Sequence, residues 1–476
     1  MVKFWGVFEM GVVIATILFC HFFIKAQEVV QREAFEIETN PFDSFMPLVL
    51  AEKGIVLLHT NGKQYHIVKL DKNLKTNFEL HFDLDRVMVY GRHFLADDTL
   101  FILMIDKFYS PKQVIVLQFN LLTKQLIKIR PALLKKEFLT DFIVDNKRLI
   151  FRGTFKDEAI INIQNIGSEM PDLRLVSFPP KSILYDVRSF TDSSFVSITT
   201  NDDKRFLVLD EINLKGKKVR HQKIELGSNK KIFTAIMEKS KEGAMIVGMW
   251  SIHGSLKPNG LFILSLRNFE KASEDLKIYS FSELDHFLDF LSYKKLNHVR
   301  EKEKHEKEQG GVPNFKLKIY PVRLTQSSEG FDFFCCTYKA KGGLNAEILS
   351  AAVIKINFDG SIRNVVQATP GSLYTYSISN VTDFCNLLGR SLFFFCQKDE
   401  LTVVSKDKDN QTQMREVIKF NGSSEQKQVR EEFRIIAIAY WYDYSFCSQG
   451  YKFTKDAATG STKQYYFINK LVGREK

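Results

Sequence analysis

The amino-acid sequence predicts an all-β fold, a β-propeller of eight four-stranded blades with one inserted α-helix; seven blades is the alternative. Three observations predict it: a recurring strand–turn–strand unit, hairpin signals upstream of the units, and one long helical pattern confined to a gap between two units. Each unit is an alternating apolar strand, a polar turn with Asp, Asn, Gly or Lys, and a second alternating strand. It occurs as YHIVKLDKNLK from Tyr65, VIVLQFNLLTK from Val114, AIINIQNIGS from Ala159, FLVLDEINLKGK from Phe206, LFILSLRNFEK from Leu261 and AVIKINFDGS from Ala352. Weaker copies are ELTVVSKDKDN from Glu400 and QYYFINKLVG from Gln464. Most successive copies lie about 45–60 residues apart, a period expected of propeller blades. In IVLLHTNGKQYHIVKL, Asn61-Gly62 is the pair that a type I′ hairpin turn needs, and Asp359-Gly360 marks another hairpin. Four short strands per unit, joined by polar turns, make a blade.

The ring must also close. After QYYFIN too little chain remains for an outermost strand, while REAFEIE, Arg32 to Glu38, alternates like a strand with no hairpin partner of its own. It is expected to supply the missing strand of the last blade and so remove an exposed edge. Eight copies predict eight blades; the weakness of the last two keeps seven as the alternative.

The gap between the copies at Leu261 and Ala352 is too long for one blade. It holds the predicted helical insertion, residues 282–311, SELDHFLDFLSYKKLNHVREKEKHEKEQGG. Ser282 and Asp285 form a variant capping box. Leu284, Phe287, Leu288 and Leu291 fall at i, i+3, i+4 and i+7, so they share one face, which is expected to dock on blade 5 or 6. Beyond Tyr293 the cations Lys294, Lys295, Arg300, Lys302, Lys304 and Lys307 alternate with Glu301, Glu303, Glu306 and Glu308. Glu303 and Lys307 have a favourable i, i+4 spacing. This half is expected to project into water as a partner-docking arm or a lid, until Gly310-Gly311-Val312-Pro313 stops it.

The chain has 476 residues, 45% hydrophobic and 26% charged, which excludes a disordered polymer. Its 42 Phe residues suit strands with one buried face. The net charge is +11, but Lys and Arg are interleaved with Asp and Glu rather than gathered in a patch. That argues against nucleic acid as a partner and leaves some preference for anionic ones. The N-terminus, MVKFWGVFEMGVVIATILFCHFFIKAQ, has a basic Lys3, an apolar run from Met10 to Ile24 broken by His21, and a cleavage junction at Ala26-Gln27. It reads as a signal peptide, residues 1–26, before a mature domain, residues 27–476, that is secreted or periplasmic. If uncleaved, this segment would be the chain's membrane contact. It carries Lys3, Lys25 and Glu9, so the mature chain would hold +11 − 1 = +10. Five cysteines then remain: Cys335, Cys336, Cys385, Cys396 and Cys447. An odd number among Phe-rich neighbours favours buried small hydrophobes over a disulfide framework, although one or two bridges are compatible with an oxidising compartment.

The familiar catalytic and metal motifs are absent, and no metal or cofactor is expected. His59, His66 and His81 lie close in sequence but not at ligand spacing on one element. The connection GMWSIHGSLKPNG, with Trp250, His253, Lys257 and Asn259, is long and bears Gly and Pro; such loops often carry function. The cluster AYWYDYSF places Trp441, Asp443 and Tyr444 together, and aromatic faces beside a carboxylate suit sugar binding.

From Gly248 to Gly311, a G-x-W strand, a P-x-G-L-F strand, a YSF segment and a charged helix follow one another. This order resembles secreted, uncharacterised β-propeller-like proteins of Bacteroidota-type bacteria. The resemblance implies a propeller and no particular activity. The leading expectation is therefore an interaction scaffold without evident catalysis, binding an envelope or extracellular protein, or an anionic surface or glycan. Its surfaces would be the Trp250–Asn259 loop and the helix cations Lys295, Arg300, Lys302, Lys304 and Lys307. The alternative is a glycan-active hydrolase or lyase with a site in the axial funnel, assembled from His93, His253, Asp443 and Tyr444.

Overall fold

A computed structural model describes residues 30–39, 43–106, 114–133, 137–145, 147–167, 174–201, 203–240, 243–252, 255, 257–309, 318–341, 345–371, 373–387, 389–420, 429–442, 445–456 and 459–473. The predicted units fold into eight antiparallel sheets, seven of them hydrogen-bonded in chain order from the inside outward and the eighth completed by a strand from the start of the chain. Blade 1 is Ser44–Val49, Ile55–Asn61, Gln64–Leu70 and Thr76–Asp83. Blade 2 is Met88–Ala96, Thr99–Asp106, Val114–Asn120 and Leu126–Ile129. Blade 3 is Glu137–Asp145, Arg148–Phe155, Glu158–Asn165 and Arg174–Ser177. Blade 4 is Ile183–Thr191, Ser194–Thr200, Phe206–Asn213 and Lys218–Glu225. Blade 5 is Lys230–Ser240, Gly243–Ile252, Gly260–Leu266 and Leu276–Ser280. Blade 6 is Lys318–Ser327, Gly330–Ala340, Ala346–Ile356 and Ile362–Ala368, with Leu373–Thr375 as an added short strand. Blade 7 is Thr382–Leu387, Arg390–Gln397, Glu400–Lys406 and Thr412–Lys419. Blade 8 is Val429–Tyr442, Ser445–Asp456, Thr462–Gly473 and, as its outermost strand, Val30–Thr39.

That last strand is the predicted closure. It runs antiparallel to Thr462–Gly473, with Phe35 opposite Ile468 and Ile37 opposite Tyr466. Phe35 and Ile37 turn inward while Glu36 and Glu38 face water, where they meet Lys452 and Lys463. The alternation thus fixes the register, because a one-residue slip would put the glutamates inside.

The core follows from the blade geometry. Middle strands have neighbours on both faces, so they read as nearly unbroken apolar runs; every residue of Gly260–Leu266 is buried. Outer strands alternate, as in Thr76–Asp83 and Thr412–Lys419. Apolar side chains gather in eight clusters, one at each seam between neighbouring blades, including the seam between blades 8 and 1. Eight seams for eight blades is the signature of a closed ring. The five described cysteines are free and buried in these seams. Cys335 joins the cluster of blades 5 and 6, and adjacent Cys336 that of blades 6 and 7, as strand alternation requires. Burial pushes the thiols of Cys336, Cys396 and Cys447 up to about 12. They are packing residues, and no disulfide forms among them.

Two local expectations are corrected. The hairpin of blade 1 turns on Gly62-Lys63, because Asn61 already pairs with Gln64, and only Gly62 takes a positive φ, 62°. This is the type II′ pattern, with Gly first, rather than I′. The helix is also shorter than predicted. Ser280 and Glu283, not Ser282 and Asp285, form the capping box, and it caps a single 3-10 turn. His286 has φ 63°, which ends any helical path there, and the α-helix spans Tyr293–Glu308. Tertiary packing overrides the local pattern: Phe281, Leu284, Phe287 and Leu288 are drawn into the seam between blades 5 and 6.

The Asp359-Gly360 hairpin forms as predicted. Asp359 Oδ1 accepts from the Ser361 N–H at 2.8 Å and its hydroxyl at 2.6 Å, which lowers the carboxyl to about 2. Because the folded value is depressed, this contribution to stability is present above about pH 4 and is lost as pH falls through about 2. A carboxyl-detected NMR titration should therefore show Asp359 titrating well below the ordinary aspartate value, and Ser361→Ala should move it upward.

Candidate functional site

In an all-antiparallel blade, the turn between strands two and three leaves from the same end as the connection to the next blade. Residues 252–260 link strands two and three of blade 5, and residues 280–318 link blade 5 to blade 6. The two surfaces singled out in the sequence therefore share one end of the ring. They also touch: Phe281 N–H donates to the Asn259 carbonyl at 3.1 Å.

Within that surface, the roles differ from those expected. Trp250 is buried, 2% exposed, and its Nε1 donates to the carbonyls of Leu261 and Tyr279, both at 3.1 Å. Asn259 is fully buried; its N–H donates to the Trp250 carbonyl at 2.7 Å and its Oδ1 accepts from Ile252 N at 3.4 Å. Neither presents a face to a ligand: Trp250 plugs blade 5 and Asn259 braces the connection. Lys257 is half-buried, its backbone held by Ser255. His253 lies outside the described residues.

The helix is where exposed chemistry concentrates. Its anchor, residues 281–291, is held by Phe281 stacked on Phe287, with ring centroids 4.7 Å apart, and by Asn410 of blade 7, whose Nδ2 donates to Asp289 Oδ2 at 3.2 Å. Leu296 and Val299 continue the packing from the helix itself. Lys294, Lys295, Arg300, Lys302 and Lys304 are exposed. Lys302 and Glu306 make an i, i+4 pair at 3.5 Å. The side chains of Glu303 and Lys307, the pair expected from sequence, lie outside the described set. No acidic residue occupies the first turn. Lys294 and Lys295 sit there, at the positive end of the helix macrodipole, where a cation costs a few tenths of a kcal/mol. Beside them Tyr293 is 80% exposed; Tyr376, on the connection from blade 6 to blade 7 at the same end of the ring, is 78% exposed.

Of the four axial candidates, His93 alone falls among the described residues. Trp441 is buried, 3% exposed, and its Nε1 donates to the Ala51 carbonyl at 2.8 Å, so it ties blade 8 to blade 1. Asp443 and Tyr444 lie outside the described residues; the strand ends beside them, Tyr442 and Ser445, join strands one and two of blade 8. They are at the opposite end of the ring from Ile252 and Gly260, which flank His253. His93, on the inner strand of blade 2, has its Nδ1 2.8 Å from the Tyr90 hydroxyl, and burial, with the Arg92 charge adding, pushes its imidazole below the ordinary value.

What does line the inner strands is a set of latches that the sequence analysis missed. Asp141, Asp186 and Asp383 are buried on the inner strands of blades 3, 4 and 7. Each accepts from the next residue's N–H through Oδ1, at 2.8, 2.9 and 2.8 Å. The other oxygen reaches a neighbouring blade: Asp141 to Arg92 of blade 2, Asp186 to Met237 N–H at 3.0 Å, Asp383 to Tyr440 N–H at 2.6 Å. Arginines complete the shells, Arg152 for Asp141 at 2.9 Å and Arg323 for Asp383 at 2.8 Å. Burial pushes the Asp186 and Asp383 carboxyls upward, while the arginines and N–H groups pull them down. Such saturated carboxylates fasten blades together. The recoverable signal was Thr-Asp-Phe, repeated at 140–142 and 382–384.

The histidines also regroup. His59, His66 and His81 stand on strands two, three and four of blade 1, directly opposite one another in register. Sequence spacing hid this, because the alignment comes from cross-strand pairing.

No protein-family model matches the chain, and no curated protein matches it. Solved structures do resemble it. The polysaccharide lyase Uly1 aligns with a TM-score of 0.43 at 8% identity, over 83% of this chain and 92% of the lyase. A protein from Lactobacillus plantarum aligns with 0.43 at 11% identity, over 81% and 96%. A quinonprotein alcohol dehydrogenase-like protein from Bacteroides thetaiotaomicron aligns with 0.37 at 10% identity, over 69% and 67%. A prolyl endopeptidase structure aligns with 0.40 at 10% identity, and the chain spans about half, 54%, of its length. Likenesses at this level carry no argument about what the chain does.

Proposed function

We propose that the protein is a secreted or periplasmic binding propeller that engages an acidic protein partner through the end of the ring bearing the Tyr293–Glu308 helix. The observation that carries this reading is the first half of that helix. Lys294, Lys295 and Arg300 are exposed with no acidic residue between 293 and 300, and the two lysines oppose their own helix dipole. A solvated helix with no partner gains nothing from this arrangement; an acidic partner would. Exposed Tyr293 and Tyr376 add the aromatic surface typical of binding hot spots. The anchor at 281–291, buried through Phe281, Leu284, Phe287 and Leu288, holds the helix in place, which lowers the entropy lost on binding. Export rests on residues 1–26, and Bacteroidota-type bacteria are the source proposed for it.

The test compares the mature chain, residues 27–476, with a Lys294→Gln, Lys295→Gln, Arg300→Gln variant of equal melting temperature. Each serves as bait in native envelope extract, and chain exported by the host is checked for an N-terminus at Gln27. The expected result is one acidic partner, captured about tenfold less by the variant and less by both as salt rises. Equal capture by both forms would refute the helix as the contact, and an N-terminus at Met1 would refute export by cleavage.

A further inference from the structure

We propose that blade 1 carries a binding site for a divalent transition metal, zinc by the chemistry of its donors, formed by His66, Glu79 and His81. The site follows from strand register. His66, on the third strand, pairs directly with His81 on the fourth, and Glu79, two residues earlier on that strand, projects from the same face. The two imidazoles stack with centroids 3.9 Å apart and planes inclined by 11°. His66 Nε2 lies 3.1 Å from Glu79 Oε2, and one donor atom from each of the three residues falls within 4.8 Å of the others. Tetrahedral zinc with bonds near 2.0–2.1 Å holds its ligands about 3.3 Å apart, so one edge of the tetrahedron already exists and the others close by side-chain rotation.

The donor set is two imidazole nitrogens and one carboxylate oxygen, which suits zinc and leaves a coordination position for water. Access is provided, because Glu79 and His81 are exposed at the outer edge of the blade while His66 is half-buried and fixes the inner side. Behind it the row continues inward. His59 is paired with His66 and packed flat on Phe45, centroids 4.5 Å apart, and its Nε2 lies 3.4 Å from Asp43 Oδ1. Both His59 ring nitrogens are buried without a hydrogen bond. Three histidines in one cross-strand row, with Asp43 beside His59 and Glu79 beside His66, gain little from packing alone on a half-exposed sheet face. Bound zinc would join the two outer strands of the blade next to the closing seam, where Phe45 stacks on Tyr466 of blade 8 at 4.4 Å.

The experiment uses the mature chain stripped with chelator and dialysed. Zinc chloride is titrated in by calorimetry, with metal content after gel filtration read by mass spectrometry, and cobalt(II) serves as a spectroscopic probe. The expected result is one zinc per chain and visible d–d bands of a tetrahedral cobalt site. His81→Gln and Glu79→Gln change exposed side chains and should each weaken zinc binding at least about tenfold. His221→Gln, at an exposed histidine of blade 4, should leave it unchanged. No saturable binding by the wild-type chain, or equal binding by His81→Gln, would overturn the proposal.

Discussion

Trp441→Ala is expected to destabilise the protein by about 3–5 kcal/mol, the cost of removing a buried tryptophan. Trp441 is 3% exposed in the cluster between blades 8 and 1, the seam that closes the ring. Its indole N–H donates to the Ala51 carbonyl, joining the inner strand of blade 8 to the first turn of blade 1. Lys470 adds to the same joint, its Nζ donating to the Lys72 carbonyl at 2.8 Å and lying 5.8 Å from the indole centroid. The substitution therefore opens a cavity and leaves a carbonyl without its donor at the seam between blades 8 and 1. Trp441→Phe fills most of the volume and loses the hydrogen bond, so its cost should be nearer 1–2 kcal/mol, roughly. Denaturant midpoints at constant m-value measure both. A loss under about 1 kcal/mol for Trp441→Ala would mean that the seam does not hold the ring.

The second large effect is expected at Asp383. This carboxylate, 5% exposed, gathers Arg323 of blade 6, Phe384 N–H of its own blade 7 and Tyr440 N–H of blade 8. Asp383→Ala would orphan two backbone donors and leave the guanidinium without its counter-charge. The cost should be about 3 kcal/mol or more. Asp383→Asn keeps an acceptor in place and should cost less, and Arg323→Ala combined with Asp383→Ala should cost less than the sum of the singles, since the two act as one unit. Additive costs would show that the latch is not a network.

Much of the architecture was legible because the relevant signals are local. Alternation with polar turns gave the blades, the lone strand Arg32–Glu38 gave the closure, and the overlong gap after Leu261 placed the insertion between blades 5 and 6. What was not legible depends on register and seam packing. Trp250 and Trp441 looked like ligand-binding aromatics, yet whether an aromatic beside a loop faces solvent or a neighbouring blade is decided by the next blade. Leu284, Phe287 and Leu288 had helical spacing but a seam to fill, and the seam prevailed. Lys294, Lys295, Arg300, Lys302 and Lys304 are exposed as expected, because alternating charge needs no tertiary information. The histidine row and the inner-strand aspartates were overlooked because their partners are distant in sequence: Asp383 meets Tyr440 and Asp186 meets Met237 only after the ring assembles.

The end of the ring that bears the helix is the proposed binding surface. The most direct measurement places a photo-crosslinking amino acid at Lys295, and separately at Lys147, an exposed position in a turn between strands one and two of blade 3, at the other end of the ring. Both full-length chains are irradiated in the cells that produce them. A single acidic protein crosslinked from 295 and absent from 147 is the predicted outcome. The same protein crosslinked from 147 and absent from 295 would contradict it.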